Sequence, residues 1–360
     1  WVPSILLLGV YSPRSGADVL DWRPTRPPEA EAQDEADDIN TDWQDLFYQT
    51  GAVTDHNISL SGGTESGSYN FGGGYYLNQG VIPTQQFKRY SLRGSIDQQV
   101  SKYFRFGLTT NTNYRESEGN QVGLYNTLSM TPISSPYNAD GTLRRGVRMI
   151  ADNQFVYTKE VVENLRDNSQ WLNENRGFAS YNSVYGEVQA PFLQGLKYRA
   201  NLGLNYIQFN NGAYTGSGVG DALNPNTQSS ASIDNRNTYH WTLENLLSYD
   251  RTIGGKHTVN AVALYSVEQS KYNRSSMAAR DILSDQFQFY NLGQAAGQIT
   301  VDPANQDYRV WGLMSVMGRV IIRQPLHDFS YGSLRWFVQA GTGQQMAYIS
   351  GRFCRLEYCQ

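Results

Sequence analysis

Three things are scarce in this sequence: charge, cysteine and long apolar runs. Each shortage removes a class of protein. Charged residues make up 17% of the 360, against roughly 25% in an ordinary soluble domain. The net charge is −4 and no basic block occurs, so nothing marks a nucleic-acid partner. The only cysteines, Cys354 and Cys359, lie in the final seven residues, so no disulfide framework or zinc site holds the body together. No segment approaches the roughly 20 consecutive apolar residues of a membrane helix. Ile5-Leu6-Leu7-Leu8-Gly9-Val10 is too short, and no basic stretch precedes it, so it makes a poor signal peptide. Only a helical span is excluded by this, because a β-barrel crosses with alternating strands of about ten residues that hydropathy windows miss. The first residue is Trp1 rather than Met, and the expectation is that a true amino terminus is missing.

Catalytic chemistry is equally scarce. His56, His240, His257 and His327 lie far apart, without metal-ligand spacing. A nucleophile elbow needs GxSxG in a strand–turn–helix setting. Gly216-Ser217-Gly218 has Thr215 and Val219 where glycines are required. Gly72-Gly73-Gly74 falls within a strand pattern rather than before a helix, so it is no phosphate cradle; small residues there ease crowding or curvature. The acidic run from Glu29 to Asp38 lacks EF-hand spacing. No catalytic residue, metal site or cofactor is expected, and the chain is not expected to be an enzyme.

What is present is tyrosine, glycine and period-two alternation. Aromatics reach 13%, with 25 Tyr and 34 Gly, a composition suited to long strands, tight turns and aromatic girdles. Tyr90, Leu92, Gly94 and Ile96 alternate with Ser91, Arg93, Ser95 and Asp97. Comparable runs follow from Phe104 to Tyr114 and from Leu196 to Tyr206. Eleven residues at ~3.3 Å each reach ~36 Å, enough to cross a ~25 Å apolar band at a barrel's tilt. The pattern predicts about nine strands, near 54–62, 67–78, 87–99, 103–117, 178–191, 196–210, 237–252, 257–271 and 308–320. Connections between them alternate short and long, as between the periplasmic and extracellular rims of outer-membrane barrels. The fold class expected is all-β: an antiparallel transmembrane β-barrel fragment, open or half-closed. Arg93, Asp97, Arg105, Lys197 and Arg199 would then face a wet lumen. A soluble all-β glycan-binding protein with one solvated face produces the same alternation, and stands as the alternative. A barrel enzyme would need a Ser/His pair at the rim, and none is found. The long loops 118–177, 211–236 and 272–307 carry Trp171, Tyr125, Tyr137, Tyr214 and Tyr290 among Asn and Ser. Such rings can stack on sugars or peptide side chains, or simply pack the loops; these five are the candidate substrate-binding residues.

Several segments resemble SusC/RagA-type TonB-dependent transporters, the outer-membrane nutrient importers of Bacteroidetes. NTDWQDLFYQTG at 40–51 is similar to the family's junction between plug and first barrel strand. HNISLSGGTESGSYNFGGGYYLNQGVI at 56–82 resembles the first barrel hairpin, and FKRYSLRGSIDQQVSKYFRFGLTTNTNY at 87–114 the next. LQGLKYRANLGLNY at 193–206, LENLLSYDRTIGGKHTVNAVALYSVEQS at 243–270 and LMSVMGRV at 313–320 continue the series in order. The resemblance covers about 40–320. It implies a barrel of roughly 22 strands, an internal plug, a TonB-coupled energy supply, a SusD-like surface lipoprotein as partner, and an oligosaccharide or peptide cargo. It also implies a bacterial outer-membrane location in contact with lipid. This chain carries about nine of those strands, so the expectation is a fragment that does not transport alone.

Residues 1–39 do not match the family and are left unassigned, as a plug remnant or a misread segment. After Val320 the resemblance stops. Back-translation of residues 340–359, shifted forward by one nucleotide, permits LAPGNKWHISPAVSAAWNI, which resembles the family's next stretch. The TGG that spans the Met346 codon fits Trp without any codon choice. The same shift on residues 323–339 allows DNRYMISLTVRYDGSSR. Residues 321–360 are therefore expected to be a frameshifted tail, with Cys354 and Cys359 accidental.

Overall fold

The structure, a computed structural model, describes residues 39–119, 124–149, 154–162, 170–254 and 257–324, together with a strand backbone over 330–342. Helix α1 (Trp43–Phe47) leads into the hairpin β1 (Ala52–Thr64) and β2 (Gly67–Gln79). β3 (Gln86–Ser101) and β4 (Phe104–Glu118) follow. The next connection holds α2 (Leu124–Leu128), the short strands β5 (Gly146–Arg148) and β6 (Phe155–Tyr157), and α3 (Thr158–Val162). The long strands resume with β7 (Trp171–Gln189), β8 (Leu196–Thr215), β9 (Ser230–Ile253) and β10 (His257–Arg280). A two-residue strand β11 (Ile299–Thr300), β12 (Asp307–Gln324) and β13 (Ser330–Thr342) complete the set.

The long strands form one antiparallel sheet in the order β1-β2-β3-β4-β7-β8-β9-β10-β12-β13, with β11 beside β10. Every step along that order is sequential apart from the detour through the small β5–β6 sheet, so the wall is an up-and-down meander. Among the described residues β1 and β13 are its two edges and do not pair with each other, so these strands do not close a barrel. At one rim the turns are tight. Ser101 Oγ accepts from the amides of Tyr103 and Phe104 at 3.2 and 3.1 Å to close β3–β4. The β7–β8 turn ends on Gly195 at φ +93°, where a Cβ would collide with the Asp250 carbonyl; only glycine takes that conformation without strain.

All nine expected strands are present, and several run well past the bounds the sequence pattern indicated, β8 among them, which continues to Thr215. β7 starts at Trp171, β9 at Ser230 and β10 continues to Arg280, while β12 extends to Gln324. At the start of β7, Asn173–Arg176 carries polar residues on both faces, so no alternation announces it. At 24 residues β9 reaches ~79 Å, well beyond a bilayer's hydrocarbon thickness. The hydrophobic core sits among the connections at this far rim, in three clusters built around Trp43 and Phe47, around Leu172 and Tyr214, and around Tyr157 and Val219.

Candidate functional site: the polar face of the strand wall

Register settles which side chains share a face. Across β1 to β12, one face carries Ile58, Phe71, Leu92, Leu108, Val184, Leu202, Leu243, Tyr265 and Met314, all exposed. The opposite face carries Asn57, Asn70, Arg93, Asn111, Ser183, Gly203, Thr242, Ser266 and Ser315. Large exposed hydrophobics on the polar face are few: Val53, Tyr181 and Trp311. A water-soluble sheet would bury its apolar side against a second layer; here it stays bare, as a lipid-facing wall requires.

Several polar side chains on the apolar face are bonded to one another. Thr110 Oγ1 donates to Asn182 Oδ1 at 2.7 Å, Thr112 and Ser180 hydroxyls meet at 2.8 Å, and Tyr198 donates to Asn245 at 2.6 Å. Trp241 Nε1 reaches Gln269 at 3.3 Å. Such pairing removes the several-kcal/mol cost of unsatisfied polar groups in hydrocarbon.

The polar face holds the five charges expected in the lumen. Arg105 and Asp97 form an ion pair at 2.6 Å, and Tyr185 donates a short hydrogen bond to the same carboxylate. Arg199 stacks over the Tyr185 ring at 3.7 Å. Arg93 lines a cavity of about 750 Å³ with Asp55, Asn57, Arg89, Ser91 and Asn111. Lys197 lies opposite Gln189 on the same face. Toward the far rim, Asp234 accepts from both Arg236 (2.8 Å) and Arg274 (2.5 Å).

The longest connection closes over this rim. Its β5–β6 hairpin and α3 pack against α1 and Ile82 on one side and against Val219 and Ala222 of the β8–β9 connection on the other. The joint to β8–β9 is polar as well. The Arg145 guanidinium donates to the carbonyls of Gly218, Asp221 and Asn224 at 2.5, 2.6 and 2.8 Å. At the other joint, Trp43 Nε1 donates to the Thr131 carbonyl at 2.9 Å. The segment 40–51, expected as a plug junction, thus stands at the long-loop rim, packed into that connection. Glu160 on α3 is 8% exposed. Burial pushes its carboxyl above the ordinary carboxylate range, opposed by a weak bond from Asn126.

The five aromatic candidates do not converge on one site. Tyr214 is 1% exposed, its hydroxyl bonded to Asp285 at 2.5 Å, so its ring packs a loop and offers no stacking face. Trp171 is half-buried against Tyr157 and Val219. Tyr125, Tyr137 and Tyr290 are exposed, in two different connections. Two aromatics absent from the sequence-derived set, Tyr181 and Trp311, are exposed on the polar face itself. Their signal lay in strand parity: both fall on the polar beat of an alternating run. Of the histidines, His240 bonds Thr242 at 3.0 Å and approaches Glu268 at 3.7 Å; His327, Cys354 and Cys359 lie outside the described residues. Glu116, Glu118 and Glu174 bring carboxylates within 4.8 Å of one another, but Gln86 bonds Glu118 and Arg176 bonds Glu174 at 2.5 and 2.6 Å.

A one-layer antiparallel wall of bilayer length, with one bare apolar face and one polar face, defines the class of outer-membrane β-barrel structures. The comparisons find a likeness to TonB-dependent receptors. No family model matches the chain. TonB-dependent receptor P3 of Formosa agariphila is 25% identical over 299 residues, covering 78% of this chain and 28% of that protein. SusC of Bacteroides thetaiotaomicron is 31% identical over 80 residues, 22% of this chain and 8% of its own length. The RagAB peptide importer in its open-open state superposes with a TM-score of 0.69 at 14% identity, over 94% of this chain and 39% of that one. At that identity the likeness is one of fold. The chain thus spans less than a third of the length of the receptors it matches in sequence.

Proposed function

We propose that this chain forms part of the barrel wall of a SusC-like TonB-dependent importer in a bacterial outer membrane. The observation that carries the reading is the separation of faces across nine strands, from β1 to β12. Lipid contacts the apolar side, and an oligosaccharide or peptide cargo passes along the polar side. A SusD-like lipoprotein would meet the long-loop rim, and TonB would supply the energy through parts of the family's architecture not carried by these strands. The wall is not itself an enzyme. The two edges of the described wall leave backbone groups that hydrocarbon cannot satisfy, so transport would need further strands to close it. The bare apolar face speaks against the soluble glycan-binding alternative, which would need to cover it.

Spin labels test this. In a background with Cys354 and Cys359 changed to Ser, single cysteines replace Leu202, Gly203, Thr242 and Leu243 in turn, with the chain refolded into lipid vesicles. Labels at 202 and 243 should be relaxed by oxygen dissolved in lipid, and labels at 203 and 242 by a water-soluble nickel chelate. An identical profile at all four positions sinks the reading.

A further inference from the structure

One register row on the polar face is unusually cationic. From β3 to β12 it reads Arg89, Arg115, Gly177, Phe209, Arg236, Arg274 and Asp307. Arg236 and Arg274 share Asp234, and Asp307 takes Arg309 at 2.7 Å. Arg89 and Arg115 stand directly opposite each other. Among the described residues neither meets a carboxylate; each lies instead over an aromatic ring, Tyr76 at 5.2 Å and Phe209 at 4.7 Å. Like charges facing each other across two strands destabilise the pair, and a bound anion would relieve that cost.

The ground beside Arg115 is shaped for one. A cavity of about 390 Å³ is lined by Phe87, Arg115, Asn175, Phe209, Asn211 and Arg236 among others, with no carboxylate in its lining. Gly177 makes room for it. A Cβ there would lie 2.8 Å from Arg115 Nε and 3.0 Å from the Phe209 ring, so any side chain would push the guanidinium off its platform. The cavity continues the polar wall, whose neighbouring hollow is lined mainly by Asn, Ser, Thr, Gly and Arg. Guanidinium groups bind planar or tetrahedral oxyanions through paired N–H donors, the Phe faces suit a ring, and the amides and hydroxyls suit a chain rich in OH groups.

We propose that the Arg115 cavity binds the anionic group of an acidic oligosaccharide, a uronate carboxylate or a sulfate ester, as it moves along the wall. This rests on the reading of the polar face as the lumen, and it names the cargo class. The test uses the full chain refolded in detergent micelles, with binding of tetragalacturonate, maltotetraose and tetraglutamate measured by calorimetry. Tetragalacturonate should bind at least roughly tenfold more tightly than maltotetraose, and the preference should weaken with salt. Arg115→Gln should lower tetragalacturonate affinity roughly tenfold, as loss of a charged hydrogen bond does, while Arg115→Lys keeps part of it. Gly177→Ala should weaken binding too, while Lys271→Gln, on the opposite face, leaves it unchanged; far-ultraviolet circular dichroism confirms the strand content of each variant. The inference is overturned by an acidic-over-neutral preference that survives Arg115→Gln, by equal binding of the two sugars, or by no binding at all. Tighter binding of tetraglutamate also overturns it and assigns the row to acidic peptides. A chain that passes the spin-label test and fails here loses the cargo assignment alone, whereas failure of the spin-label pattern removes the lumen itself.

Discussion

Placing one arginine on either side of β9 separates a membrane wall from a solvated sheet. Leu243 lies on the apolar face between Leu202 and Val267, and Thr242 on the polar face between Gly203 and Glu268. The apolar side of β9 is bracketed by Tyr239 and Tyr249, both on the Leu243 face. Ten residues at ~3.3 Å cover ~33 Å of strand, or ~25 Å along the membrane normal at a ~40° tilt, the height of a barrel's apolar band. Leu243 is four residues from one tyrosine and six from the other, close to the midplane. Leu243→Arg should therefore cost about 2–4 kcal/mol, lowering the folded-to-unfolded ratio roughly 30-fold to several hundredfold. Thr242→Arg should cost at most ~1 kcal/mol, because its guanidinium enters a wet face opposite Glu268. The assay is a urea titration of the refolded chain in short-chain phosphatidylcholine vesicles, followed by tryptophan emission. Equal costs at the two positions, or a larger one at Thr242, would refute the assignment of faces. A soluble sheet, with both positions in water, would lose no more than ~0.5 kcal/mol at either.

Asn182→Ala leaves the Thr110 hydroxyl without its partner on the lipid side, and the same titration should show a loss of about 1–3 kcal/mol. Arg145→Ala removes three charged hydrogen bonds to the β8–β9 connection; amide exchange at Val219 should speed at least roughly tenfold, while exchange in the middle of β8 stays unchanged. The raised Glu160 pKa favours the protonated carboxyl in the folded rim. Packing of α3 on α1 is thus tightest in acid and weakens as pH rises through the folded pKa. Near-ultraviolet circular dichroism from Trp43 should report that loss as pH rises above the ordinary carboxylate range, and Glu160→Gln should flatten it. For the tail, sequencing the gene across codon 320 should reveal a single-base insertion or deletion followed by a frame resembling further barrel strands; an uninterrupted family-like frame rules out the misreading.

Strand existence was legible in the residues because a barrel wall is a one-layer structure. With no second layer to bury a face, each strand keeps a strict apolar–polar beat, as from Tyr198 to Tyr206. The matching of short and long connections was readable for a related reason, since tight turns need residues such as Gly195 at defined places. Where both faces of a strand leave the lipid, the beat disappears, so the outer ends of β7 and β10 passed for loop. Tyr214 looked like Tyr125 in the sequence, one aromatic among Asn and Ser. Only the fold of the 281–306 connection onto the strand ends decided that Tyr214 is enclosed and Tyr125 exposed. The sequence by itself determined alternation, strand length and the sign of each face, all of which depend on neighbours within a few residues. Tertiary structure alone decided the arginine row, because Arg89, Arg115, Arg236 and Arg274 come from four strands. Their alignment depends on the register of every intervening pair, and a slip of one residue in any of them would turn part of the row toward lipid.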